Sequence, residues 1–445
     1  MSKVIAGMDW QELYSFASKQ ALLGLCFEGI ERLGKEYPEE LRLNPIGREL
    51  LMTWMGKAQQ IRRQNMKVNA VASKLFSMLR EDGLRCCILK GQGNALMYPN
   101  PYSRTPRDID VWIDASRERI MEYAQKKYEL GDDIRLQHLE TSLDGVPVEL
   151  HFFPCSMNNP IYHARLQKWF KRNADLQCSH IVGLPDGAGD IAIPTTAFNV
   201  VYQLTHLYHH FFDEGIGMRQ IIDYFLVVND FSKNVFLDYD FSNHPVPLSK
   251  EGSTFSPSPS SSGSGDVTAP SRCSEPLRSK DGGASKPSPD CAGWDRRGVS
   301  GDTSSASCSS ASGSSITSVR SAFTTDSSAS TALVVVQREL KYLGLWKFAG
   351  AVMYVLKEVL GLAEDKMIVP MDEKRGRLLL AEILDGGNFG RHFTKYAGFT
   401  HQSMGKKYFL KIWRNMHFVR YYPAEALSEP IFRTWHFFWR VKNKK

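Results

Sequence analysis

Residues 86–114 read CCILKGQGNALMYPNPYSRTPRDIDVWID, and the fold turns on how this stretch is read. An apolar strand runs into Lys90-Gly91, a loop carries Arg104 and Arg107, and a second strand opens with Asp108-Ile109-Asp110. Strand side chains alternate between faces, so Asp108 and Asp110 project to one side while Ile109 and Val111 face a core. Two carboxylates on one strand edge repel unless a cation lies between them. Hard oxygen donors so arranged suit Mg2+, which takes one or two protein carboxylates and completes its shell with water and phosphate oxygens. The pattern points to metal-dependent phosphoryl-transfer chemistry.

Alternation of the same kind recurs downstream. Residues 134–140 and 146–152 read as strands around Leu143-Asp144-Gly145, where Asp-Gly is a hairpin signal. In the second of them Val148, Leu150 and Phe152 share one face and Glu149 and His151 the other. If this strand lies beside that of Asp108, Glu149 becomes a third carboxylate on the same edge, and His151 contacts an acceptor or phosphate or serves as a hydrogen-bonded sheet histidine. Pro147 implies that the strand begins there or runs along an edge. Strands at 85–89 and 108–113, a short helix at 91–98 and a Ser116-capped helix to about 129 complete a mixed sheet over residues 84–194. Lys90, Arg104 and Arg107 are then placed to neutralise phosphate charge, and Gly91 lets the backbone approach a phosphate closely. The plainer reading of the two arginines is ion pairing to Asp108 or Asp114.

The flanks are helical. Trp10, Leu13, Tyr14 and Ala17 recur at helical spacing, as do the apolar residues of 61–79, so residues 1–83 form an N-terminal flank without chemistry. Residues 195–240 are the first part of a helical domain. There His206 and His210 stand four apart, as do Arg219 and Asp223, each pair on one helix face. The histidine pair lacks the Glu of HExxH and a third ligand, which favours structural or substrate-contacting roles over a metal. Arg219 and Asp223 form a buried salt bridge or part of a cleft wall. Residues 241–332 are rich in Ser, Gly and Pro and cannot bury enough apolar surface to offset chain entropy, so a disordered insertion is expected. Helical pattern resumes at Val334, and 333–445 is the second, basic part, with 20 Lys and Arg against 10 Asp and Glu. It holds a turn cluster, Gly386-Gly387-Asn388-Phe389-Gly390, and an aromatic run from Trp435 to Trp439 that is read as helical core.

Eight cysteines without a CxxC pair suggest reduced thiols rather than a disulfide or zinc framework. No run of apolar residues is long enough for a membrane span, and the first twenty residues do not resemble a secretory signal. A cytoplasmic protein is the expectation.

The blocks LKG, YPNPYSRTPRDIDVW and VELHF, followed by the helix from His206 to Asp223, resemble the uncharacterised nucleotidyltransferase family of the DNA polymerase beta-like superfamily, over roughly residues 80–230. The resemblance implies an α+β fold, a small mixed-sheet nucleotidyltransferase core flanked by N-terminal helices and a C-terminal helical domain. It implies that Asp108, Asp110 and Glu149 form a metal triad for Mg2+ (or Mn2+), with Gly91 in the turn facing the triphosphate of ATP or another nucleoside triphosphate. Here the sequence departs from the superfamily, whose turn is Gly-Gly or Gly-Ser; Lys90 precedes Gly91 and Gln92 follows. The implied reaction moves a nucleoside monophosphate to an acceptor hydroxyl, releasing pyrophosphate, with His151, His206, His210 and Arg219 bordering the acceptor. A small-molecule acceptor comes first, with RNA or protein as alternatives. The competing readings are a toxin-like transferase acting on tRNA or protein, which the basic C-terminal part favours, and an inactive nucleotide-binding or scaffold protein.

Overall fold

Strands β1 (Cys86–Leu89), β2 (Ile109–Ile113), β3 (His138–Leu143) and β4 (Val146–His151) form a mixed sheet in the order β1-β2-β4-β3. β1 runs antiparallel to β2, β2 parallel to β4, and β4 antiparallel to β3. The parallel pair requires a long connection, which runs through α7 (Arg117–Lys127) and β3. Ser116 caps that helix by accepting the Arg119 N–H at 3.3 Å. The β3–β4 hairpin turns at Asp144 and Gly145, both at positive φ, as a two-residue turn of the Asp-Gly type needs. The structure is a computed structural model and describes residues 2–128, 135–234, 325–390 and 404–443.

Each face of the sheet has its own packing partner. Ile109, Val111 and Ile113 of β2, with Ile88 of β1 and Val148 and Leu150 of β4, meet Val68, Ala72, Leu75, Phe76 and Leu79. Those residues recur every three or four positions along α5 (Arg48–Glu81), a 34-residue helix whose apolar stripe lies under the sheet. Each fully buried Ile or Val contributes about 1.5–3 kcal/mol. On the opposite face Trp112 stacks on Phe198 and meets Phe170, with centroids 6.2 and 6.1 Å away. Asp110, two residues earlier, shares that face, and beside it the sheet opens into a cleft.

Helices α1 (Ser2–Ala6), α2 (Trp10–Lys19), α3 (Leu23–Glu36) and α4 (Pro38–Leu43) precede α5, and α6 (Gly91–Ala95) follows β1. After β4 come α8 (Pro160–Ser179), the small β5 (Ile181–Gly183) and β6 (Asp190–Ala192) ribbon, α9 (Thr196–Asp213) and α10 (Met218–Asn234). The C-terminal part contains α11 (Thr325–Tyr342), α12 (Trp346–Leu360), α13 (Glu373–Gly386), α14 (Met404–Met416) and α15 (Pro423–Asn443). Met1–Asn243 and Thr324–Lys445 make up one compact unit. Its interior joins Tyr208, Phe211 and Phe212 of α9 to Phe348, Phe418 and Tyr422 from beyond residue 324.

Four expectations change. β2 begins at Ile109, so Asp108 stands at its mouth rather than inside it. β4 is an inner strand; Pro147 is accommodated because only β3 pairs with the strand at that point, the β2 register starting at Val148. α11 begins at Thr325, within the stretch expected to lack structure, and residues 241–324 lie outside the described residues. The aromatic run of α15 is not core: Trp435, Phe437 and Phe438 are at least half exposed. Aromatic density marks a helix as sticky without saying which side its neighbours cover. The five described cysteines are free thiols, and among the described residues no helix is long and apolar enough to cross a membrane.

A buried carboxylate ties α15 to the loop after β4. Glu425, 1% exposed, accepts the backbone N–H groups of Asn158 and Asn159 at 2.5 and 3.2 Å. Burial raises its pKa to about 7, against the opposing pull of those amides. Because the folded value lies above the unfolded one, the stabilising share of Glu425 is complete below pH ~4.5 and lost as pH rises through 7, about 3 kcal/mol in all. The melting temperature of the parent should fall faster between pH 5 and 8 than that of Glu425→Gln. Parallel pH profiles for the two proteins would refute this.

Candidate functional site

The cleft, about 240 Å³ in volume, lies between the open face of the sheet and helices α9 and α10. All twelve residues singled out in the sequence line it: Lys90, Gly91, Arg104, Arg107, Asp108, Asp110, Glu149, His151, His206, His210, Arg219 and Asp223. Strand register brings the acids together. Asp110 of β2 is the direct neighbour of Glu149 of β4, and parallel neighbours present their side chains to the same face. Both carboxylates reach Nε2 of His151, Asp110 Oδ1 at 3.0 Å and Glu149 Oε2 at 3.1 Å. His151, 2% exposed, is thus a hydrogen-bonded sheet histidine clamping the two acids.

Lys90 closes the group from the other side. It follows β1, which pairs antiparallel with β2 so that Leu89 stands opposite Asp110. Its ammonium lies 3.1 Å from Asp110 Oδ2 and 2.5 Å from Nε2 of His206. The Lys90 backbone has φ 50°, a left-handed conformation that a side-chain-bearing residue adopts only when its surroundings impose it, and such residues gather at functional sites. Gly91 follows at φ 41°, where the lack of a Cβ removes that strain.

Charge in the cleft is unevenly balanced. Burial opposes ionisation of Asp110, but Lys90 and the His151 hydrogen bond hold its carboxyl well below the usual range. At Asp108 burial, then repulsion from Asp110 and Glu149, outweighs the pull of Lys90 and raises the pKa to about 6. Burial would depress His151, but its bonds to Asp110 and Glu149 raise it to about 9. Burial, with the Lys90 charge, holds His206 well below its ordinary value, so it is a neutral acceptor for Lys90. The carboxyl groups of Asp108, Asp110 and Glu149 line this cleft, and carboxylate oxygens are the donors that a hard divalent cation takes; among the described residues the ligand atoms that lie within 4.8 Å of one another are those of Glu149, His138 and His151.

Arg104 departs from the plainer expectation of an ion pair with Asp108 or Asp114. Its buried guanidinium forms a two-pronged bond with Asp223, Nε to Oδ1 and Nη2 to Oδ2, both at 2.8 Å. Tyr98 donates to the same carboxylate at 2.8 Å, and Arg219 lies 3.9 Å from it. Arg219 and Asp223 are therefore both a buried ion pair and a cleft wall. Arg107 lies over the ring of Phe389, 4.2 Å from its centroid. His210 meets the edge of the same ring at 5.1 Å and stands 4.3 Å from His206.

Other residues of the site were not singled out in the sequence. Phe389 comes from the turn after α13, at φ 57°. Asp213, at the end of α9, binds Lys411 and Arg433 at 3.1 and 3.0 Å, so helices α14 and α15 brace this wall. Asn65 of α5 donates to the carbonyls of Tyr102 and Arg104 at 3.1 and 2.8 Å and fixes the loop that carries Arg104. The N-terminal flank thus positions the site. His138 was visible as part of a strand, and counting back from the Asp144-Gly145 turn pairs it with His151.

No curated protein matches the sequence. Among solved structures, the crystal structure of an antigenic nucleotidyltransferase-like protein from Paracoccidioides brasiliensis is similar at 16% identity, covering 36% of this chain and 75% of that one, with a TM-score of 0.25. A family model described as uncharacterised nucleotidyltransferase matches residues 6–242, which hold the sheet, the three acids and both cleft helices. Since that match spans more than half of the sequence, the chain belongs to the uncharacterised nucleotidyltransferase family.

Proposed function

We propose that the protein is a metal-dependent nucleotidyltransferase that moves a nucleoside monophosphate from a nucleoside triphosphate, ATP among the candidates, to an acceptor hydroxyl. The observation that carries this reading is the register of β2 and β4, with Asp110 opposite Glu149 and Asp108 in the same cleft. Asp108, Asp110 and Glu149 would hold Mg2+ or Mn2+, which when bound neutralises phosphate charge and lowers the pKa of a coordinated hydroxyl. Lys90, oriented by neutral His206, contributes a fixed positive charge beside the phosphates. Gly91 leaves room for the triphosphate backbone-side, and Arg107 offers a second cation at the Phe389 side of the cleft. The acceptor hydroxyl gives up its proton to solvent, its oxygen attacks the α-phosphorus, the bond to the β-phosphate breaks, and pyrophosphate leaves. His206, His210 and Arg219 border the acceptor, for which a small molecule is the first choice.

A second reading, an RNA acceptor, draws on charge. Residues 386–445 contain 12 Lys and Arg but only two acids, Glu425 and Glu429, each 1% exposed. Such a segment favours a polyanion.

Calorimetry with each of the four ribonucleoside triphosphates, in Mg2+ and in chelator, tests the main reading. At least one nucleotide should bind only with the metal, and pyrophosphate should appear once an acceptor is supplied. Binding of equal strength in chelator would refute it.

A further inference from the structure

The β3–β4 hairpin brings a second kind of donor to the cleft. His138 pairs with His151 across the strands and Glu140 with Glu149. Ligand atoms of His138, Glu149 and His151 lie within 4.8 Å of one another. Two imidazole nitrogens converge on one carboxylate oxygen: His151 Nε2 is 3.1 Å and His138 Nδ1 3.5 Å from Glu149 Oε2. Donors that share an ion at about 2.1 Å stand roughly 3.0–3.5 Å apart; the two pairs through Glu149 Oε2 already have that spacing, and the two histidine nitrogens lie within 4.8 Å of each other.

His138 points to what occupies that spacing. It is 9% exposed, yet among the described residues neither ring nitrogen has a hydrogen-bond partner; Glu149 Oε2 stands 3.5 Å from Nδ1 and Glu140 Oε1 3.7 Å from Nε2. A buried polar group left unpaired costs about 1–3 kcal/mol, so such groups call for an explanation. An ion at the shared position gives Nδ1 a partner. Imidazole nitrogen is a poor ligand for Mg2+ and a good one for borderline transition ions such as Zn2+ and Ni2+. Asp110 Oδ1, 3.0 Å from His151 Nε2, is a further oxygen beside the group.

We propose that His138, Glu149 and His151 form a site for one borderline transition-metal ion at the β3–β4 side of the cleft, separate from the all-oxygen position beside Asp108. The site shares Glu149 with the acids of the proposed function and rests on that reading only for its use in catalysis. Binding replaces the proton on His151 Nε2 by the metal, so one proton is released to solvent.

The full-length protein, stripped of metal, should be titrated with Co2+ by calorimetry and visible absorption. One Co2+ per chain is expected, with ligand-field bands that Zn2+ abolishes and millimolar Mg2+ does not. His138→Ala should weaken Co2+ binding at least about tenfold, and His138→Asn serves if the alanine variant does not fold. Wild-type Co2+ affinity in a folded His138 variant would overturn the proposal, as would loss of the bands on adding Mg2+. The two readings fail separately: Mg2+-dependent nucleotide binding without a Co2+ site removes this one alone, and a Co2+ site without such nucleotide binding removes the proposed function alone.

Discussion

At pH 7.5 in chelator, Asp108→Asn is expected to melt above the parent, while with nucleotide and Mg2+ it transfers at least about a thousandfold more slowly. The two effects share one cause. Asp108 is pushed up to about 6 by burial and by the neighbouring charges of Asp110 and Glu149. A carboxyl whose folded pKa exceeds its unfolded value stabilises fully below pH ~3.8 and loses that contribution as pH rises through 6, so its ionised form weighs against the fold at neutral pH. Removing the charge relieves about 1–3 kcal/mol there and nothing at pH 4. In catalysis the same charge is what a divalent ion would bind, and a thousandfold loss is about 4 kcal/mol of transition-state stabilisation. Melting curves of both proteins at pH 4 and pH 7.5, with initial rates at saturating Mg2+, decide the matter. A variant that loses stability at pH 7.5 contradicts the charge argument, and one that keeps its rate contradicts the metal assignment.

Asp223→Ala should lower the unfolding free energy by about 3–5 kcal/mol, the usual consequence of removing one partner of a buried ion pair. Here the carboxylate neutralises Arg104 at two points, accepts from Tyr98 and lies near Arg219. Burial works against its ionisation, and the Arg104 charge more than offsets that. Without Asp223 two guanidinium groups remain buried and uncompensated. Arg104→Met combined with Asp223→Leu should recover much of the loss, since apolar pairs of similar size often replace buried ion pairs without harm. Urea denaturation of the single and double variants gives the coupling directly. Additive losses would mean that the two residues do not act as a pair.

How much of this could be read beforehand depends on how far apart in sequence the partners lie. β1, β2 and the hairpin of β3 and β4 were legible because period-two alternation and an Asp-Gly turn are local signals. Glu149 was legible as a neighbour of Asp110 because only one face of its strand could be apolar, and a one-residue slip would have turned Val148 and Leu150 outward. The partner of Arg104 was not, since Asp223 lies 119 residues further on and nothing local distinguishes it from Asp108 or Asp114. Phe389 was visible only as part of a turn. The exposed rings of α15 were misjudged for the same reason: composition gives the stickiness of a helix, while its orientation is fixed by tertiary neighbours.

The aromatic interior shared by α9 and the later helices bears on where the protein can be cut. The family match ends at residue 242, but Tyr208, Phe211 and Phe212 lie before that point and pack on Phe348, Phe418 and Tyr422 beyond it. A fragment truncated at 242 would present those rings to water and lose the Lys411 and Arg433 charges that neutralise Asp213. Boundaries drawn from sequence likeness are therefore not boundaries of autonomous folding here, and an expression fragment should retain the helices that follow residue 324.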